Sequence, residues 1–215
     1  MKPANHPPSE LLLAYATGSA DVPLRLLVET HVSFCTGCAR EVGRLGAPGG
    51  SVLEAMPEAV VPPDLFGRIW AEASQREQPK PVEGLPLPPV LLAELPPPGR
   101  WRWHSVLSGG CRMTRLLKDE RGGRELYLVH MVAGARFPRH THRGGEESLV
   151  LAGGAWDRGR FLEAGDWSSA PAGSKHELIA DPKEGCWTLA REEHENVQLS
   201  GWRGLIQRAA ALFPH

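Results

Sequence analysis

The sequence predicts a two-domain protein, a small all-α helical bundle followed by an all-β barrel. Three observations predict it. Apolar residues change from helical spacing to short strand-like runs near residue 98. A proline-rich stretch separates the two textures. Each side also carries its own set of side chains of metal-ligand type, soft on one side and harder on the other.

At 215 residues the chain has room for two small domains, and its 41% hydrophobic and 23% charged content is that of an ordinary globular protein. A net charge of −1 argues against a nucleic-acid binder that works through phosphate contacts. No run approaches the roughly 20 apolar residues of a membrane span. The first residues, Met1-Lys2-Pro3-Ala4-Asn5-His6, lack the apolar stretch of an export signal, so a cytoplasmic protein is expected.

The helical part opens with a short helix over 9–16, capped by Ser9 and stopped at Gly18, with Leu11, Leu12 and Tyr15 at helical spacing. Asp21 caps a second helix with Pro23 in its first turn, and Leu24, Leu27, Val28 and His31 share one face. A third begins near Thr36 or Cys38 and is expected to stop about Leu45, before Gly46-Ala47-Pro48-Gly49-Gly50. A fourth starts at Pro63-Asp64 and runs to about Gln75, with Leu65, Ile69 and Trp70 as its apolar positions. Four short helices in residues 1–77 make a thin core, and a bound metal is the expected staple.

Residues 78–98 contain eight prolines and read as an extended, semi-stiff linker. The alternative is an ordered arm anchored by Val90-Leu91-Leu92. Residues 99–215 then supply strands over 101–105, 111–118, 125–132, 135–140, 147–151, 159–162, 167–170, 177–180 and 186–191. Gly122-Gly123, Gly144-Gly145, Gly153-Gly154 and Asp181-Pro182 are read as the turns between them. A last amphipathic helix over 202–212 places Leu205, Ile206, Ala209 and Leu212 on one side. Cys111 and Cys186 fall in strands and read as buried reduced thiols.

The first constellation is His31-x3-Cys35-x2-Cys38. Two thiolates and an imidazole at that spacing converge on one ion, and the set suits a tetrahedral zinc site. Amides at the start of the third helix are expected to favour the Cys38 thiolate. One corner stays open, and His6 is a candidate for it, which would pin the first helix to the other two. A redox Cys-x-x-Cys is the competing reading, but no strand precedes the motif. At these residues the chain resembles the zinc-binding anti-sigma factors, helical bundles that grip an extracytoplasmic-function sigma factor. That resemblance implies zinc at His6, His31, Cys35 and Cys38.

The second constellation is Gly134-x5-His140-x-His142-x3-Glu146-x6-Gly153, then Gly165-x5-Pro171-x-Gly173-x2-His176. His140 and His142 share a strand face by the period of two. Gly134 and Gly153 are expected to turn the chain, and Pro171-x-Gly173 to bring His176 to the same point. Spacing alone permits Glu146 or Glu147 as the carboxylate ligand, and counting back from Gly153 favours Glu146. The two-part pattern closely resembles the cupins, double-stranded β-helix barrels with a metal inside. It departs from them where an asparagine is often found, here Ala180, and in a short spacer between the halves. The resemblance implies a divalent ion on His140, His142, Glu146 and His176, zinc first and manganese, iron or nickel next.

A zinc-binding helical domain followed by one cupin resembles the ChrR-type anti-sigma factors, known for the singlet-oxygen and organic-peroxide response. The resemblance implies a transcriptional regulator, not an enzyme. Its helices would hold one sigma factor in a 1:1 complex, and its cupin domain would receive the oxidative signal and pass it through the linker, with no direct contact to DNA and none to a membrane. The competing class is a metal-dependent cupin enzyme of dioxygenase or isomerase type, because open coordination positions admit oxygen or substrate. A redox sensor built on Cys35 and Cys38 alone is the third reading.

Overall fold

The computed structural model describes residues 3–75, 80–106, 109–119, 123–193 and 197–199. The helix expected over 202–212 lies outside them.

Helix α1 (Ser9–Ala16) is entered from Pro8, whose carbonyl accepts from Leu11 and Leu12, so Ser9 is the first helical residue and not the cap. Gly18 turns the chain out at φ +71°. In α2 (Val22–Phe34) the Asp21 carboxylate accepts from the Leu24 amide at 2.8 Å, the expected cap. Helix α3 (Thr36–Glu54) does not stop at Leu45; Pro48 lies inside it. None of Gly46, Gly49 and Gly50 takes the positive φ that a glycine stop uses. An interior proline costs about 3 kcal/mol, which a 19-residue helix absorbs by losing one hydrogen bond. Helix α4 (Leu65–Gln75) buries none of its side chains, so the bundle core is α1–α3 alone.

The proline-rich stretch is a packed arm. Helix α5 (Pro89–Glu94) lies inside it, and Leu87, Leu91 and Leu95 are buried. Position explains this better than proline count. Pro88 and Pro89 sit at the start of α5, where a missing donor costs nothing, and Pro96, Pro97 and Pro98 follow its end. Arg25 of α2 and Glu94 of α5 form an ion pair at 3.0 Å.

The barrel is built from β1 (Trp103–Ser105), β2 (Cys111–Lys118), β3 (Arg124–Met131), β4 (Arg136–His142), β5 (Glu146–Asp157), β6 (Arg160–Glu163), β7 (Trp167–Ala170), β8 (Lys175–Ala180), β9 (Cys186–Glu193) and β10 (Val197–Leu199). Antiparallel pairing runs β1-β2-β3-β9-β5-β8-β4-β10, with β6 and β7 also on β5. Strand β5 serves both layers: its first half pairs with β7 and β9, its second with β6 and β8. It therefore runs straight through Gly153-Gly154, where a turn was expected. Those glycines answer a close approach: a Cβ on Gly153 would meet the Gly185 carbonyl oxygen at 2.2 Å.

Period-two alternation divides the sheet β3-β9-β5 into two faces. Leu126, Leu128, Leu149, Leu151 and Leu189 pack outward with Leu24, Leu27 and Val28 of α2 and Leu91 of the arm, in one continuous core. Val129, Met131, Val150 and Cys186 pack inward with Phe137, Leu162 and Ala180. The helices and the barrel thus touch directly as well as through the arm. Arg191 of β9, itself buried, ties this junction by bridging Asp21 at the head of α2 and Glu147 of β5. Cys111 and Cys186 are buried in β2 and β9, as expected.

Candidate metal centres

His6, His31, Cys35 and Cys38 come together, with one ligand atom from each lying within 4.8 Å of the others. The α2–α3 junction does most of the positioning. His31 is in the last turn of α2, Cys35 is the residue between the helices, and Cys38 is in the first turn of α3. His6 arrives on the preceding segment and sets Nδ1 3.5 Å from both sulfurs. One amide at the start of α3 serves the other sulfur: the Cys38 N–H donates to Cys35 Sγ at 3.4 Å. Burial, reinforced by the Cys35 thiol, pushes Cys38 up to about 11. A cation at the cluster would reverse that, since coordination stabilises the thiolate.

His31 carries the sharper signal. Its ring is fully buried, and burial holds it down at about 4, so it is neutral. Nδ1 lies 2.9 Å from the Gly165 carbonyl and donates to it, which leaves the lone pair on Nε2. That Nε2 is buried and has no hydrogen-bond partner. An orphaned acceptor beside two sulfurs and an imidazole fits a zinc ion, which accepts soft and borderline ligands in a closed tetrahedron.

In the barrel, His140, His142 and His176 also bring ligand atoms within 4.8 Å of one another. His142 Nε2 lies 2.8 Å from His176 Nε2 and 3.6 Å from Glu146 Oε2. His140 and His176 are fixed from behind. His140 Nδ1 donates to the Pro138 carbonyl at 2.8 Å, and His176 Nδ1 to Asp157 at 2.8 Å, so both Nε2 lone pairs face inward. The turn before β8 is the expected one: the Ser174 amide donates to the Pro171 carbonyl, and Gly173 takes φ +78°. Burial pushes His140 down to about 4 and His142 to about 3, so both rings are neutral ligands at pH 7. Burial would raise Asp157, but hydrogen bonds from His176 and Arg158 hold it down at about 2. Glu146 goes the other way, raised first by burial and then by Glu192 and Asp157. Glu147 faces the opposite side, toward Arg191.

Two contributors lie outside the ligand motifs. Asp157 ends β5 and orients His176 across 19 positions, with no motif to mark it. Glu192 groups with His142 and Glu146. Strand parity could have found it, because Cys186, Thr188, Ala190 and Glu192 all fall on one face of β9. A cavity of about 40 Å³ lies beside this cluster, lined by Met113, Met131, Phe137 and Leu178 with His140 and Glu146 at its polar end. That is room for roughly one water-sized molecule. Three imidazoles and a glutamate beside a small, mostly apolar space suit a divalent ion that keeps an open position.

Comparison with known proteins covers both units. Residues 97–195 match the family described as the ChrR cupin-like domain. The anti-sigma-E factor ChrR of Cereibacter sphaeroides is 32% identical over 193 residues, which span 86% of this chain and 88% of that protein. In the crystal structure of Rhodobacter sphaeroides SigE in complex with the anti-sigma ChrR, a matching chain superposes with a TM-score of 0.67 at 28% identity. The match covers 88% of this chain and 98% of that one. Among the described residues, no helix is long and apolar enough to cross a membrane.

Proposed function

The chain belongs to the ChrR anti-sigma factor family, and we propose that it sequesters an extracytoplasmic-function sigma factor in a 1:1 complex and releases it under oxidative stress. The division of labour follows the two units. Residues 1–77 are the zinc-binding inhibitory domain, 78–98 the arm, and 99–215 the cupin domain that receives the signal. The protein acts in the cytoplasm, where sigma factors meet polymerase, and it touches neither DNA nor membrane.

One observation carries the inhibitory role. Val60, Val61, Phe66, Ile69 and Trp70 are exposed along α4 and the segment before it, and Phe66 stacks on Trp70 with centroids 6.1 Å apart. An apolar surface of that kind, on a helix that buries nothing, is a partner surface. Aromatic anchors of this type dominate binding energy when a partner covers them. Zinc, where bound by His6, His31, Cys35 and Cys38, supplies folding energy to the thin helical core. His140, His142, Glu146 and His176 would hold the divalent ion of the barrel, and Asp157 orients the last of them.

The test is co-expression of the full chain with its cognate sigma factor, followed by sizing. The expected result is a stable heterodimer that Trp70→Asp weakens at least tenfold while the barrel stays folded. A wild-type chain that elutes alone beside free sigma factor would overturn the reading. The enzyme alternative draws no support from the relatives that span the chain, which are regulators.

A further inference from the structure

We propose that Gly165 and Asp166, in the turn between β6 and β7 of the barrel, are positioning residues for the helical metal cluster. Metal binding there and docking of the barrel against the helices are then one linked event. The inference rests on the zinc reading of His6, His31, Cys35 and Cys38.

The turn reaches both ends of the ligand set. The Gly165 carbonyl accepts from His31 Nδ1 at 2.9 Å, which fixes the tautomer and aims Nε2 at the sulfurs. Asp166 is buried, and its Oδ1 accepts from the amides of Ala4 and Asn5 at 2.7 and 2.8 Å. These are the residues just before His6. The Trp167 amide then donates to the Asn5 carbonyl at 3.1 Å, and the Trp167 ring stands edge-on to His31 with centroids 6.1 Å apart. The approach is too close for any side chain at position 165. A Cβ on Gly165, which has φ +91°, would meet Pro3 at 2.8 Å and Phe34 at 2.9 Å.

The turn is equally firm on its barrel side. The Asp166 Oδ2 accepts from the Glu163 amide at 3.0 Å, and Gly165 and Asp166 exchange backbone bonds with Val150 of β5 at 2.8 and 3.1 Å. Two residues past Asp166, Ser168 donates to Asp157, the carboxylate that orients His176. The helical cluster and the barrel cluster are therefore joined by a short run of buried hydrogen bonds around β7, without recourse to the arm. Coupling of this kind is reciprocal: whatever loosens the turn weakens the metal site, and loss of the metal loosens the turn.

The test uses the full-length chain as wild type, Asp166→Ala, Asp166→Asn and Gly165→Ala. Cobalt(II) is the probe, because its thiolate charge-transfer band reports only the cysteine-containing cluster. Zinc competition against that band gives the affinity. Asp166→Ala and Gly165→Ala should weaken binding by about 10- to 100-fold and shift the band. Asp166→Asn, which keeps an oxygen for Ala4 and Asn5 but sets its NH2 against the Glu163 amide, should recover part of the loss. Wild-type affinity and spectrum in both Asp166→Ala and Gly165→Ala would overturn the proposal. A second measurement needs no variant. Zinc added to metal-free wild type should slow hydrogen exchange of the Trp167 amide at least tenfold, and an unchanged rate would also overturn it. Neither readout involves a sigma factor, so failure here leaves the anti-sigma reading standing. A wild-type chain with no cobalt–thiolate band would instead overturn the zinc reading and this proposal with it.

Discussion

Leu91→Ala separates a packed arm from a proline linker. Leu91 is 1% exposed in the core shared by α2, α5 and the barrel. Truncation removes three buried carbons, worth about 2.4 kcal/mol at roughly 0.8 kcal/mol each. A cavity in a junction tied on three sides will not collapse fully, which brings the expected loss to about 3–4 kcal/mol, within the range for buried leucines. In a solvated linker the same change would stay within about 0.5 kcal/mol. The assay is urea denaturation of the metal-loaded full chain, followed by far-UV circular dichroism and tryptophan fluorescence. Coincident transitions show that the two probes follow one unfolding event. Val60→Ala, at a residue 99% exposed, is the control and should leave the midpoint where it was. A Leu91→Ala midpoint indistinguishable from wild type at unchanged slope would refute the shared core.

Three further outcomes are expected. Cys35→Ser or Cys38→Ser should lower zinc content by one ion per chain in native mass spectrometry and abolish sigma binding; full-affinity binding without that zinc would show the ion to be dispensable. His140→Ala or Glu146→Gln should leave a sigma-dependent reporter silent in unstressed cells but blunt its induction by singlet oxygen or an organic hydroperoxide, whereas full induction with the barrel metal gone would place the sensor elsewhere. The metal-free chain should lose stability on acidification. His31, His140 and His142 titrate near 4, 4 and 3 when folded against about 6.5 unfolded, so the unfolded state binds more protons as pH falls from about 6.5 toward those values. Glu146, raised in the fold, opposes this with the opposite sign. Urea midpoints at pH 7.5 and pH 5 decide it, and a flat profile would show the rings to be hydrated.

Much of the candidate site was legible because ligand spacing is local. His31, Cys35 and Cys38 span a single helix junction, and His140, His142 and Glu146 a strand and its turn, so residue type and period place them without tertiary knowledge. Helix α2 was legible for the same reason, through Asp21 and Pro23. The misreadings arose where a residue's role depends on a distant neighbour. Gly153 looks like a turn glycine until Gly185 is brought against it. Pro88 and Pro89 look like helix breakers until they fall at a helix start. Asp157 and Asp166 carry no signal at all, since each acts on a residue far along the chain. Helix α4 forms where its spacing predicts but adds nothing to the core, because amphipathic spacing cannot say whether the chain itself or a partner covers that face.

The adjacency of Glu146 and Glu147 has a consequence for how the barrel must assemble. On β5 they point to opposite faces, one to the three histidines and the other to Arg191 and the head of α2. A slip of β5 by one residue against β9 would exchange them, offering the barrel the wrong carboxylate and the helices the right one in the wrong place. A metal alone could tolerate that exchange, since both are glutamates. Arg191 could likewise take either glutamate, but the helices could not accept the slip, because it would turn Leu149 and Leu151 out of the core they share with α2 and into the barrel. The docked helices therefore act as a gauge for strand register, and a barrel folded without them would lack one of the two checks on which glutamate meets the ion.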